Sequence, residues 1–351
     1  MLSSVPGWLI TVLFLGSLIF IHELGHFLVA RATRVKVAEF GLGYPPRLLK
    51  LFHQGGTLFS LNAIPFGGFV RLAGEDDPRV PDGFASAGRG IRAAVLLGGV
   101  AANLLTAFIV FTFGFKIGWP DRVAVASVAS GSPAMAAGLQ PGDIILRADT
   151  QVIHQPEDLS TLTYSSLGKP ILVEVGRGSQ RLDLSITPRT SWPATQGPMG
   201  IEMQAQVVNN YSWPQAVQRS GETIDQQAWL IVTLPIKLIQ GQIAPDQARP
   251  VGVIGIYDLT VRTVQAAQQT DQWVILLQWA GLISTALALG NLLPIPALDG
   301  GRLLFVAIEA VRGRRVSPER EQAVHAIGFV LLVGLMLYIS YLDLVHPILP
   351  R

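Results

Sequence analysis

Two histidines and a glutamate stand where lipid is expected: His22-Glu23-Leu24-Gly25-His26 lies inside an apolar stretch running from about Trp8 to Ala30. Ionisable side chains are costly in hydrocarbon unless paired, metal-bound or wetted, so such a cluster points to a functional site. On a helix, residues four apart share a face. His22 and His26 can therefore present imidazole nitrogens to one tetrahedral zinc ion, with Glu23 beside a water activated by that ion as general base. Zinc suits the arrangement because it makes water a usable nucleophile near neutral pH and polarises a carbonyl, while the carboxylate moves the proton. Two histidines solvated on a surface helix, the plainer alternative, are poorly served by this setting.

Half of the 351 residues are hydrophobic and 14% are charged, which fits a membrane protein with a soluble portion. A net charge of +2 without a basic aromatic tract excludes nucleic acid as an expected partner. With no cysteine, disulfides are excluded and zinc ligands must come from His, Asp or Glu. The N-terminal stretch lacks a basic leader, runs about 20 residues and carries the motif, so it reads as a retained transmembrane helix rather than a signal peptide. Further spans are expected from about Ala93 to Gly118, Val274 to Leu298 and Ala326 to Leu342. The loops after the first and third spans are rich in Arg and Lys, including Arg31, Arg34, Lys36, Arg312 and Arg315. They are expected to be cytoplasmic, which leaves the termini and the section from about Asp121 to Asp271 extracytoplasmic. From Trp8 to His22 the helix rises about 21 Å, so the histidines lie nearer the cytoplasmic edge of a core about 30 Å thick.

That depth selects a third ligand. The segment Asn291-Leu-Leu-Pro-Ile-Pro-Ala-Leu-Asp299-Gly-Gly301 ends the third span and brings Asp299 to the same side as His22 and His26. Pro294 and Pro296 break the helix, and Gly300-Gly301 allows close backbone approach. Asp343 and the remaining histidines, His53, His154, His325 and His346, lack ligand spacing and are expected to be structural or solvated.

His-Glu-Leu-Gly-His on a first transmembrane helix, paired with Asn-Leu-Leu-Pro-Ile-Pro-Ala-Leu-Asp-Gly-Gly on a later one, resembles the site-2 protease family of intramembrane zinc metalloproteases. The likeness is closest to its bacterial regulator-of-sigma-E protease branch. It extends to Phe40-Gly-Leu-Gly-Tyr-Pro-Pro46 and Phe59-Ser-Leu-Asn-Ala-Ile-Pro-Phe-Gly67-Gly68-Phe-Val-Arg71, which resemble the family's membrane-associated β-hairpin. The resemblance implies that His22, His26 and Asp299 bind zinc, that Glu23 is the base, and that Asn291, Gly67 and Gly68 contact substrate. In the second span, Gly98-Gly99 stands where the family has Gly-Pro, ahead of Asn103, for which a packing role and a hydrogen-bonding role near the site are both open.

The section Val123 to Pro188 alternates short β-prone runs with turns. Its Ser132 to Asp143 stretch resembles a bacterial protease PDZ domain, which implies binding of extended peptides or protein termini by strand addition. Ser220 to Gln242 is partly amphipathic and is expected to lie at the membrane interface. Arg249-Pro-Val-Gly-Val-Ile-Gly255 resembles a family turn with Arg in place of Gly, and its role is open.

The expected fold is a mainly α membrane protein with about four transmembrane helices, a membrane-associated β-hairpin and one inserted, β-rich PDZ domain. Its divisions are the first transmembrane helix (1–34), the cytoplasmic-side hairpin and loop (35–90), the second helix (91–120) and the PDZ domain (121–190). An extracytoplasmic region with an amphipathic helix (191–271), the third helix (272–310) and a loop with the fourth helix (311–351) follow. The expected activity is zinc-dependent hydrolysis of peptide bonds in or near transmembrane segments, of anti-sigma factors or remnant signal peptides for example, in the bacterial inner membrane. Its partners are then transmembrane protein substrates, chain termini at the PDZ domain and the lipid bilayer. The alternative is a catalytically inactive PDZ adaptor with a structural zinc, against which Glu23 argues because a structural site needs no base.

Overall fold

A computed structural model describes residues 6–193, 196–208, 211–240 and 249–346. In chain order the elements are α1 (Gly7–Ala32), β1 (Val37–Gln54), β2 (Thr57–Leu72), α2 (Arg89–Ile117), β3 (Trp119–Val128), α3 (Pro133–Ala136), β4 (Ile144–Ala148) and β5 (Gln151–Val152). Then come α4 (Pro156–Ser165), β6 (Ile171–Arg177), β7 (Gln180–Ile186), β8 (Ile201–Val208), α5 (Trp213–Ile239), α6 (Val253–Thr270), α7 (Val274–Leu292), α8 (Asp299–Arg312) and α9 (Pro318–Val345). The architecture thus mixes helix and sheet. Two compact units divide it, one formed by residues 1–113 with 217–351 and the other by 114–216.

In the first unit, α1, α2, α7 and α9 are long and apolar enough to cross a membrane. Large side chains on α9, such as Ile327, Phe329, Leu331 and Leu337, are exposed, a surface that water would not tolerate and lipid would cover. Helices α1 and α2 meet at glycine: a Cβ on Gly25 would stand 2.2 Å from the Gly98 carbonyl oxygen, so the two backbones touch there. The amphipathic helix α6, which the sequence reading did not anticipate, packs against α1, α7 and α9. Its N-terminal end is held by buried Asp343 of α9, whose Oδ2 accepts from Gly252 and Gly255 N–H, each at 2.9 Å, and whose Oδ1 accepts from Arg249 at 2.8 Å. This gives the Arg-Pro-Val-Gly turn its role: the arginine that replaces a glycine neutralises the aspartate that caps α6.

Strands β1 and β2 form an antiparallel hairpin joined through Gly55 and Gly56, whose φ values of +59° and +84° supply the left-handed pair that a two-residue hairpin turn requires. The hairpin folds back on itself. Residues 37–42 lie opposite 68–72 on one side and 58–61 on the other. Buried Glu39 fastens this fold, accepting from Arg47 at 2.6 and 2.9 Å and from Ser60 at 2.7 Å. Burial pushes its carboxyl upward, but Arg47, Ser60 and Arg71 outweigh that and hold it below the usual carboxylate range.

The second unit is a sheet in the order β7-β6-β4-β3-β8, with β5 paired to β4. In β6, Ile171, Val173 and Val175 point inward while the residues between them are more exposed, the period-two pattern of a half-covered sheet. They join Val123, Val125, Ile145 and Leu159 in one core. Buried Asp143 accepts from the Gln140 N–H at 2.9 Å and twice from Arg177 at 2.7 Å. The unit runs past the boundary expected at 190, because β8 pairs along the length of β3 from Ile201 opposite Val128 to Val208 opposite Trp119. Strand β8 was hidden by its composition: Glu202, Gln204 and Gln206 make an edge strand that does not read as apolar.

Two helix limits also differ from expectation. Helix α5 begins at Trp213, not near Ser220, where the Gln215 side chain accepts the Ser212 N–H at 2.9 Å in half of a capping box. Helix α7 ends at Leu292, six residues before the expected end at Leu298, and Asp299 opens a separate helix, α8.

Candidate active site

Helix α1 turns His22 and His26 to one face, where both are buried and their rings meet edge to face with centroids 4.7 Å apart. Asp299 reaches them because the chain reverses between α7 and α8. Pro294 and Pro296 remove helix donors. Ala297 takes φ +76°, rare for a residue with a Cβ, and its N–H is held by His325 Nδ1 at 2.8 Å. The reversal also explains the glycine pair: a Cβ on Gly300 would lie 2.2 Å from the Leu293 carbonyl oxygen, and one on Gly301 would lie 2.4 Å from that of Ile295.

The three side chains converge. His22 Nε2 lies 2.9 Å from Asp299 Oδ2, His26 Nε2 lies 3.2 Å from the same oxygen, and the two Nε2 atoms are 3.1 Å apart. Nitrogen and oxygen ligands at about 2.0–2.1 Å around a tetrahedral ion stand roughly 3.3–3.4 Å from one another, so the triangle would widen by a few tenths of an ångström to hold zinc. Among the described residues this is the single His, Asp and Glu cluster of metal-binding form. Three protein donors leave a fourth position open, as a catalytic rather than a structural zinc site requires.

Glu23 sits one residue from His22, and its Oε2 accepts the backbone N–H of Val70 in β2 at 3.0 Å. This bond ties the carboxylate to the hairpin. The margin of residues 68–72 that faces away from β1 pairs with no strand among the described residues. Gly67, at φ +66°, and Gly68 let β2 pass close to α1: a Cβ on Gly67 would stand 2.4 Å from Ile19 Cγ2, and one on Gly68 would stand 3.3 Å from Phe20 Cδ2. Asn291 is not brought into the cluster by any described contact; its side chain donates to the Leu287 carbonyl of its own helix at 2.9 Å.

Helix α2 forms the wall behind the histidines, a position for which the sequence offered only the open role of Asn103. A Cβ on Gly99 would stand 2.5 Å from His26 Nε2 and 2.6 Å from His22 Nε2, so glycine alone leaves the imidazoles their place. One turn away on the same face, the Val95 carbonyl accepts from His26 Nδ1 at 2.8 Å, which puts that ring's proton on Nδ1 and turns the Nε2 lone pair to the cluster. The sequence signal for Gly99 was the small-residue run Gly98-Gly99-Val100-Ala101-Ala102, which reads as packing and does not tell which glycine faces the histidines.

Comparison with known proteins finds relatives across nearly the whole chain. The family model of peptidase family M50 matches residues 10–335. Zinc metalloprotease RasP of Geobacillus kaustophilus is 26% identical over 98% of this chain and 99% of its own length. Zinc metalloprotease RasP of Oceanobacillus iheyensis is 26% identical over 95% of this chain and 97% of its own. A Clostridium perfringens relative is 30% identical over 95% of this chain and 97% of its own. With a family match across most of its length, the chain belongs to peptidase family M50, the site-2 protease family, and is a membrane zinc metalloprotease.

Proposed function

We propose that His22, His26 and Asp299 hold the zinc, that Glu23 is the general base, and that the reaction is hydrolysis of a peptide bond within or near a transmembrane segment of a membrane protein. The observation that carries this reading is the meeting of the three donors from α1 and α8 beside a glutamate anchored to a strand margin. Zinc, when bound there, polarises the scissile carbonyl and makes water nucleophilic near neutral pH. Val70 N–H holds one oxygen of Glu23; the other takes the proton of the attacking water and delivers it to the leaving amide nitrogen. A helical substrate hides its peptide bonds, and pairing with the part of the β2 margin beside Gly68, next to the Val70 N–H that Glu23 occupies, holds it extended in front of Glu23.

The second unit supports a PDZ reading. A cleft of about 200 Å³ is lined by Leu159, Ser160 and Thr163 of α4, by the Gly197 to Gly200 loop, and by Ile201 and Met203 of the edge strand β8. Strand addition at β8 would seat an extended chain end there. Filling the cleft with Ser160→Arg is expected to change which substrates are cut while leaving cleavage of a minimal segment intact; identical selectivity would make the unit a spacer. The basic loops after the first and third spans favour a bacterial inner-membrane orientation with this unit outside and the zinc near the cytoplasmic face.

The deciding experiment uses wild-type and Glu23→Gln protein purified in mild detergent, with zinc per chain and cleavage of a tagged transmembrane segment measured with and without a chelator. The expected result is zinc in both and chelator-sensitive cleavage by wild type alone. Cleavage by Glu23→Gln at the wild-type rate would refute the base assignment.

A further inference from the structure

Each histidine of the cluster has an outward nitrogen that faces α2. His26 Nδ1 meets the Val95 carbonyl, and Gly99, one turn on, lies under both rings. One further turn on, at Asn103, the carboxamide lies 3.4 Å from His22 Nδ1. Val95, Gly99 and Asn103 are spaced by four, so one face of α2 runs along the outer side of the pair from His26 to His22.

Asn103 is fully buried, and its Oδ1 has no hydrogen-bond partner among the described residues. A buried acceptor without a partner is costly, so one beside an imidazole ring nitrogen calls for an explanation. The histidine supplies it. His22 Nε2 faces His26 and Asp299, and a neutral ring that gives Nε2 to a metal carries its proton on Nδ1. The neighbour of Nδ1 must then accept, and the Asn103 NH2 can only donate. A half-turn of the carboxamide exchanges its nitrogen and oxygen with almost no change of shape. It brings Oδ1 to the Nδ1 proton, so that the acceptor meets the ring donor, and turns the NH2 to the side where Oδ1 had no partner. Ser284 Oγ, donating to the Asn103 backbone carbonyl at 2.8 Å, holds this turn of α2 and leaves the side chain free to face His22.

We infer that Asn103 is the positioning residue of His22: its Oδ1 accepts the Nδ1 proton and so fixes the tautomer and ring orientation in which Nε2 is offered to zinc. It does for His22 what the Val95 carbonyl does for His26. The inference rests on the assignment of His22 as a zinc ligand.

Zinc affinity, read by chelator competition in detergent, tests it on wild type, Asn103→Leu, Asn103→Asp and His22→Ala. Outer partners of this kind carry about ten- to a hundredfold in metal affinity. Asn103→Leu, similar in volume but without an acceptor, is expected to lose that much, and Asn103→Asp, which offers an acceptor in either orientation, to stay within a few-fold of wild type. Equal affinity in Leu and wild type overturns the proposal, and so does an equal loss in Leu and Asp, which would make position 103 a matter of packing. A second measurement needs no change at 103. In zinc-loaded Glu23→Gln protein carrying 15N-labelled histidine, His22 is expected to show a ring proton on Nδ1 protected from solvent exchange; a proton on Nε2, or one that exchanges freely, overturns the proposal. His22→Ala separates the two levels: if it keeps wild-type zinc affinity, the ligand assignment itself has failed.

Discussion

Adding one methyl group at Gly99 tests the site more sharply than removing a ligand, because every donor stays present. In Gly99→Ala the new Cβ would stand 2.5 Å from His26 Nε2 and 2.6 Å from both Cε1 and Nε2 of His22. Ordinary contact begins near 3.4 Å, so both rings must retreat by about 0.8–0.9 Å, or α2 must retreat from α1 by a similar distance. Retreat of the helix would give up the close Gly25–Gly98 packing and draw the Val95 carbonyl away from His26, and so disturb the ring as well. Zinc–ligand distances tolerate about 0.2 Å. A displacement four times larger removes one histidine or both from effective coordination, and zinc affinity is expected to fall by at least about a hundredfold. The assay is chelator competition alongside zinc per chain. Gly334→Ala in α9 is the control, since a Cβ there meets nothing within 4 Å and a helical Gly→Ala change is neutral or mildly stabilising. A Gly99→Ala protein that binds zinc as tightly as wild type would refute the argument that these imidazoles occupy the space glycine leaves.

Asp343→Ala strips the partner from Arg249 and the acceptor from two α6 amides, all at a buried point; it is expected to cost about 3–5 kcal/mol, read as a lower thermal midpoint in detergent, and an unchanged midpoint would show that α6 is held otherwise. In the second unit, burial pushes Asp143 upward but Arg177 and the Gln140 N–H hold it below the usual carboxylate range. Its contribution is therefore complete above the unfolded value near 3.9 and is lost as pH falls through the lower folded value. Hydrogen exchange at β4 and β6 amides is expected to accelerate on acidification through that window in wild type and to depend less on pH there in Asp143→Asn; equal acid sensitivity would exclude this pair as the cause.

The residues that could be read in advance are those whose chemistry is conspicuous in the wrong solvent. Charged and imidazole groups inside an apolar run must have a purpose, and the depth of α1 was enough to match them with Asp299 across a long separation in sequence. The alternation of short β-prone runs with turns across residues 123–188 was legible for a related reason: a half-covered face and a tight turn each permit few residue types. What stayed hidden was relational. Strand β8 shows its apolar partners only once β3 lies beside it, and the helices on which α6 packs, α1, α7 and α9, include segments distant from it in sequence. Nor can a sequence tell that Arg249 answers Asp343, since neither residue is unusual alone.

The departure at Gly98-Gly99 brings the two kinds of information together. Read along the chain, a glycine in place of proline only removes a kink. In the structure the same position faces two imidazoles, and any side chain built on a regular helix there would collide with them. Proline at 99 would withdraw its own N–H from the helix and kink α2 at that point. Glycine makes room by deleting the side chain and leaves α2 straight enough for Val95 and Asn103, one turn to either side, to reach His26 and His22. The constraint that acts on position 99 in this chain is therefore the volume of the two rings.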